Sequence, residues 1–335
     1  MKKAEAYNPF TSDANHELSI GQLGERKLLK EIRDWLGAIA PESPHGMGDD
    51  CAVLPGTTEG QQQLLTTDCV SYGQHFNAAV SPQDAGAKLI KRNLSDIAAM
   101  GGQPGPALLT LLCGWDLSIL WLEQFFGGIR QSCEAYGVSI VGGDVSEIAS
   151  GHFSAALTLT GQLTTPPILR STAKLGDCIY VTGSLGGSIR AKHYQFEPRL
   201  KEGQWLASQS LCTAMMDVTD GLSKDLSALL PEECSAAIDL NTLPISEDAY
   251  LCEKADGRPA AEHAFCDGED YELVLTASAE ADLQKFESDW STQFPDLKLS
   301  KIGHIIKKSP VGRYVDAASS QAIDWPSGYE HFKRA

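Results

Sequence analysis

Apolar residues recur along this chain in two rhythms, one near the helical period and one in short runs or alternations that fit strands. Residues 1–20 are polar and read as a loose arm. Over 23–35 (LGERKLLKEIRDW) the apolar positions fall near helical spacing and predict a helix. Short apolar runs at 51–54 and 64–67 predict strands, and each abuts aspartates. A helix is predicted over 82–100, opened by Ser81 with Pro82 in its first turn and ended by Gly101-Gly102. Residues 108–113 read as a buried strand, 117–136 as a helix, and 138–141 as a strand entering Gly142-Gly143-Asp144. The alternation over 153–163 predicts another strand. Two prolines within 164–167 mark a boundary.

Beyond the boundary the alternation resumes. Residues 178–181 read as a strand, Gly183 to Gly187 as a glycine-rich turn into a helix, and 215–217 as the end of a short strand. A helix is predicted over 221–230, strands over 236–240 and 271–276, a helix over 279–290 and a strand over 297–306. Strands alternating with helices predict an α/β (α+β) chain. Its expected domains are 21–165 and 166–335, behind the 1–20 arm.

Length and composition agree with two domains, since 335 residues at 42% hydrophobic content supply enough apolar material for two cores. No run of about 18 apolar residues appears, so no membrane span is expected. The two lysines of the opening MKK are not followed by an apolar stretch, which predicts an unprocessed, cytoplasmic chain. The nine cysteines are odd in number and include no CxxC pair, against both a disulfide framework and structural zinc. A net charge of −17 disfavours nucleic acid and anionic membranes as partners. With a phosphate ligand, that charge would require divalent metal.

The chemistry concentrates in aspartates beside apolar runs: Asp49-Asp50, Asp68, Asp96, Asp144, Asp217 with Asp220, and Glu269-Asp270. One Asp-Gly is ordinarily a turn. Six such clusters are harder to assign to turns alone, because buried unpaired carboxylates cost several kcal/mol each. Magnesium, which binds oxygen ligands and phosphates together, would relieve that cost. Asp96 lies inside a helical pattern, either as a solvated acid or as a carboxylate aimed at metal. Gly142-Gly143 and the 183–187 turn would let backbone approach a phosphate. Arg170 is able to clamp a phosphate or to lie on the surface, and Arg199 is similarly open. His75 sits seven residues past Asp68. No GxxxxGK[ST], GxGxxG after a first strand, GxSxG, HExxH or HxE…PCxxC is present.

Eight segments taken in order resemble the thiamine-monophosphate kinases, a family in the superfamily of aminoimidazole ribonucleotide synthetase and selenophosphate synthetase. They are GMGDDCAVL (46–54), TTDCVSYGQHF (66–76), NLSDIAAMGGQP (93–104), VGGD (141–144), RSTAKLGDCIYVTGSLG (170–186), MDVTDGLSKDL (216–226), GEDYEL (268–273) and GYEHF (328–332). The resemblance implies a magnesium cluster held by Asp50, Thr66, Thr67, Asp68, Asp96, Asp144, Asp217 and Asp220. It implies a nucleotide-phosphate site at Gly143, Asp144, Arg170 and Thr219, and acceptor contacts from His75, Glu269 and Tyr329. It further implies several Mg2+ ions, ATP as co-substrate, thiamine monophosphate as acceptor, and a homodimer formed through the mixed sheet of the N-terminal domain. No catalytic nucleophile is implied.

Thr219 stands where the family usually has serine, and keeps the hydroxyl. Asp267 stands where glycine or serine is more usual, adding a charge beside the acceptor site, and the N-terminal arm is long. The rival readings are another ATP-dependent synthetase of the superfamily, a non-catalytic acidic metal- or nucleotide-binding protein, and a metal-dependent phosphohydrolase.

Overall fold

A computed structural model of the protein describes residues 42–55, 62–326 and 328–330, together with Lys27 and Lys30. The 1–20 arm lies outside the described residues. So does the 23–35 helix apart from Lys27 and Lys30, both helical, and so do the last two residues of the terminal GYEHF segment.

Strand β1 (Glu42–Asp49) leads into Asp50 and strand β2 (Ala52–Pro55). Then follow β3 (Gln62–Ser71), helix α1 (Pro82–Ala99), β4 (Gln103–Cys113), helix α2 (Ile119–Tyr136), β5 (Ile140–Glu147) and β6 (Phe153–Leu163). They form a five-stranded sheet in the order β2-β3-β6-β4-β5. Its pairs are antiparallel except β4 with β5. Strand β6 shows why one face is buried. Phe153, Ala155, Leu157 and Leu159 turn into the core, while Ser154, Ala156, Thr158 and Thr160 are half-buried on the other side. Helices α1 and α2 cover the core face, with Leu89, Ile90, Leu94, Ile97, Phe125 and Ile129 buried against it. The two helices touch backbone to backbone, since a Cβ at Gly128 would lie 1.9 Å from the Gln83 carbonyl oxygen. The opposite face is open, and Leu65 and Leu108 on it are exposed. The strand at 108–113 is therefore buried on one face only, not on both.

The second half runs β7 (Cys178–Thr182), α3 (Leu200–Ala207), β8 (Cys212–Asp217), α4 (Leu222–Leu229), β9 (Cys234–Ile238), α5 (Glu247–Asp256), α6 (Ala260–Cys266), β10 (Leu273–Ala277), α7 (Leu283–Gln293), β11 (Leu299–Lys307) and β12 (Tyr314–Asp316). A short helical turn at 192–195 precedes α3. The sheet order is β12-β9-β11-β7-β10-β8, antiparallel except at β12 with β9. Strands β7, β9 and β10 are buried along their whole length, because both faces are covered. One core gathers Val181, Met216, Leu222, Leu226 and Phe265. The other gathers Tyr180, Met215, Leu206, Phe286 and Trp290.

Among the described residues no helix is long and apolar enough to cross a membrane. All nine cysteines are free thiols.

Candidate active site

Helix α1 lies between the two sheets and positions the site. Helical geometry puts residues four apart on one stripe, and here that stripe carries Lys88, Arg92 and Asp96, with Ser95 beside it. Ser81 caps the helix by accepting from the Asp84 amide at 3.0 Å, and Met100 closes it. Strand β8 enters from the second sheet and ends on Asp217, followed by Thr219 and Asp220 before α4 starts. Strand β3 supplies Thr66, Thr67 and Asp68 from its interior, and Asp50 follows β1.

These elements converge on a cavity of about 560 Å³. Asp50, Asp96 and Asp217 present carboxylate oxygens all within 4.8 Å of one another, Asp50 and Asp217 buried and Asp96 half-buried. Thr66 Oγ1 donates to Asp96 at 2.5 Å, and Ser95 Oγ donates to Asp217 at 2.5 Å. Arg170 grips Asp50 with two guanidinium nitrogens, and its backbone N–H donates to Asp49 at 2.8 Å. Burial, reinforced by Asp68 and Asp50, holds the Asp96 carboxyl well above the usual range. Burial with Asp50 and Asp96 does the same for Asp217. Three crowded carboxylates facing one guanidinium form an oxygen-only, electron-rich pocket, the donor set that suits a hard divalent cation such as magnesium.

The remaining predicted residues surround this cluster. Asp68 is held by Arg92 through two 3.0 Å bonds, and Arg92 also donates to the Cys69 carbonyl at 2.6 Å. Thr219 and Asp220 give their amides to Asp225 at 2.8 and 2.9 Å, while Asp220 pairs with Lys224 at 2.6 Å. Burial, with Asp220 adding to it, raises the Asp225 carboxyl to about 8. Next to them Gln74 donates to the Tyr329 hydroxyl at 2.6 Å, and His75 and Glu269 also line the wall. Asp50, Thr66, Thr67, Asp68, His75, Asp96, Arg170, Asp217, Thr219, Asp220, Glu269 and Tyr329 all line this one cavity.

Gly143 and Asp144 do not. They sit within β5 rather than in a turn, exposed at the sheet edge. The register sets Asp144 beside Thr110, then Ala156, then Cys69. Three interstrand steps of about 4.8 Å separate Asp144 from β3, roughly 14 Å, too far to join the cluster within one chain. Glycine at 143 is explained by packing, because a Cβ there would lie 1.7 Å from the Leu109 carbonyl oxygen.

Three other readings change. The 183–187 turn is not free for phosphate: Gly186 gives its N–H to Asp270 at 2.9 and 3.1 Å, and Gly187 gives its N–H to Asp267 at 3.0 Å. It leads into a 3-10 turn and the 192–195 turn rather than a long helix. Asp267 adds no uncompensated charge, since Arg258 and His263 meet it at 3.2 and 2.9 Å. Arg199 lies outside the cavity and grips the buried Glu272 with two 2.7 Å bonds. Burial works to raise the Glu272 carboxyl, but Lys192 and Arg199 outweigh it and hold it below the usual range.

Sequence reasoning missed Arg92, Ser95, Asp225, Gln74 and Lys88. Arg92 was findable, lying four residues before Asp96. Lys88 was not, because nothing in the pattern announces a lysine with no exposed surface.

Residues 48–163 match the family described as AIR synthase related protein, N-terminal domain. That match, with two mixed sheets sharing one carboxylate cluster, defines the broader class. The chain is also 34% identical to a thiamine-monophosphate kinase of Rhodopirellula baltica, over 92% of this chain and 97% of the relative. It is 30% identical to that of Haemophilus influenzae, over 93% and 99%. The solved structure of AaThiL complexed with AMPPCP and TMP superposes with a TM-score of 0.77 at 27% identity, covering 92% of this chain and 97% of that one. The chain belongs to the thiamine-monophosphate kinase family.

Proposed function

We propose that the protein transfers the γ-phosphoryl group of ATP directly to thiamine monophosphate, giving ADP and thiamine diphosphate. The observation that carries this reading is the carboxylate cluster contributed by both halves of the chain. It opens into the same cavity as Arg170, Thr219 and Asp220, which would meet the nucleotide phosphates, and His75, Gln74, Glu269 and Tyr329, which would meet the acceptor. Asp50, Asp96 and Asp217 would hold magnesium, with Asp68, Thr66, Thr67 and Asp220 around them. The bound ions would neutralise the phosphates of the two substrates and bring them into line.

The chain's own residues do the rest by positioning. Arg170 and Thr219 line the cavity where nucleotide phosphates would approach, while the amides of Thr219 and Asp220, already given to Asp225, fix the shape of that turn. A phosphate acceptor, with a second pKa of about 6, is already largely ionised at neutral pH and needs no strong general base. Glu269 and the ring of Tyr329 suit a cationic thiazolium. The protein would act as a homodimer closed over the open face of the first sheet, around Leu65 and Leu108. In that arrangement the exposed Gly143 and Asp144 gain neighbours. Nine free thiols fit the reducing cytoplasm.

The test follows ADP and thiamine diphosphate after incubation with ATP, magnesium and thiamine monophosphate, alongside EDTA and an Asp68→Asn variant. Stoichiometric products that vanish in both controls support the reading. ADP without thiamine diphosphate moves the assignment to another acceptor, and no turnover by folded protein overturns it.

A further inference from the structure

We propose that Lys88 is the positioning residue of the acceptor side of the cavity, one buried ammonium that holds the His75 loop of the first sheet and Glu269 of the second half in a fixed relation. This rests on reading that side of the cavity as the acceptor site.

Lys88 has no exposed surface. Its three N–H donors meet three acceptors: the Glu269 carboxylate at 2.7 Å, the His75 carbonyl at 2.8 Å and His193 Nδ1 at 3.0 Å. An ammonium has no further donor to give, so the group is saturated. Burial and the facing Lys88 charge draw the His193 imidazole down to about 4, leaving its ring nitrogen free to accept at neutral pH. Glu269 needs such a hold. Its backbone is in the left-handed region at φ 63°, where a non-glycine residue persists only when its surroundings enforce it. The backbone bond from Glu269 N–H to the Thr219 carbonyl, 2.7 Å, supplies one constraint, the Tyr271 hydroxyl donates to the carboxylate at 3.2 Å from the same segment, and Lys88 adds the shorter, charged hold from a different element. Glu269 remains about a third exposed toward the cavity. Lys88 thus fixes the geometry of groups that touch the acceptor without reaching it.

One turn along α1, Lys91 makes the matching control. It also bridges to the second half, through Glu197 at 2.8 Å and the Phe196 carbonyl at 2.8 Å, but does not line the cavity. The experiment compares Lys88→Met, Lys91→Met, Glu269→Gln and the Lys88→Met/Glu269→Gln double variant. In Lys88→Met the KM for thiamine monophosphate is expected to rise at least tenfold, with kcat and the KM for ATP within threefold. Lys91→Met changes none of them. In the Glu269→Gln background Lys88→Met adds less than threefold, because both substitutions remove one arrangement. Hydrogen exchange of the free protein supplies an arm independent of substrate. Segments 71–77 and 267–271 exchange together about tenfold faster in Lys88→Met, and neither changes in Lys91→Met. If wild type prefers another acceptor, the reading of the function fails while the exchange arm still decides the role of Lys88. Should Lys88→Met not fold, His193→Phe removes one of the three acceptors and shifts the same KM in the same direction. An unchanged KM with unchanged exchange, multiplicative effects in the double variant, or equal effects from Lys91→Met overturns the proposal.

Discussion

At Asp217 the demands of function and stability oppose each other. The carboxylate is buried beside Asp50 and Asp96 and is met by the Ser95 hydroxyl and the Arg170 charge. Replacing it with asparagine keeps the Ser95 acceptor and removes a crowded charge. Asp217→Asn is expected to raise the melting temperature of metal-free protein, by about 2–4 °C for each kcal/mol relieved. It should also lower turnover by two orders of magnitude or more, about 3 kcal/mol of transition-state stabilisation. Thermal unfolding with and without magnesium checks the pairing. Wild type gains roughly 2.7 kcal/mol at a hundredfold excess over the dissociation constant, and the variant loses that gain.

Asp270 gives a second test at the same scale. It is fully buried, and burial outweighs Lys192 and the Gly186 amide to raise its carboxyl to about 7. Between the ordinary carboxylate range and about 7 the folded chain keeps a proton that the unfolded chain has lost. The contribution is therefore present below about pH 4, falls as pH rises, and levels off above about 7. Melting curves from pH 5 to 8 should fall more steeply for wild type than for Asp270→Asn, which cannot ionise.

Elements are held by backbone contact as much as by side chains. Alanine at Gly128 would drive a methyl into the Gln83 carbonyl, so Gly128→Ala should cost about 1–3 kcal/mol by separating α1 from α2. Its neighbour Gly127 has nothing within 4 Å, and Gly127→Ala should stabilise by about 0.5–1 kcal/mol through helix propensity alone. Denaturant midpoints that move in opposite directions with unchanged slopes would confirm both. At this scale much of the fold was legible. Ser81-Pro82 and Gly101-Gly102 bracket α1 because caps and breakers act locally, and β6 shows its alternation openly because one face is buried and the other is not. Helices α3, α5 and α6 left no clear signal. They are short or weakly patterned, and they form where the second sheet and its neighbours supply packing. For the site, aspartates beside apolar runs stood out, whereas the cations that steady them did not. Arg92 and Lys88 read as ordinary helix-face charges until burial shows them turned inward.

At the scale of the whole molecule, the proposed dimer rests on the uncovered face of the first sheet. Leu108 is half exposed on that face, and Leu65 is exposed on it as well. Wild type is expected to sediment as a dimer. Leu108→Lys, which places a charge on that face without touching either core, should sediment at half the mass with a melting curve independent of concentration.

The path of the chain has a practical corollary. Every strand of the first sheet precedes every strand of the second, so the backbone passes between them once, through 164–177. A chain severed in that span would leave Asp50, Asp68 and Asp96 on one fragment and Asp217 and Asp220 on the other. Fused to two proteins whose meeting is of interest, the fragments would make a complementation reporter. Growth of a bacterium starved for thiamine diphosphate would then depend on that meeting.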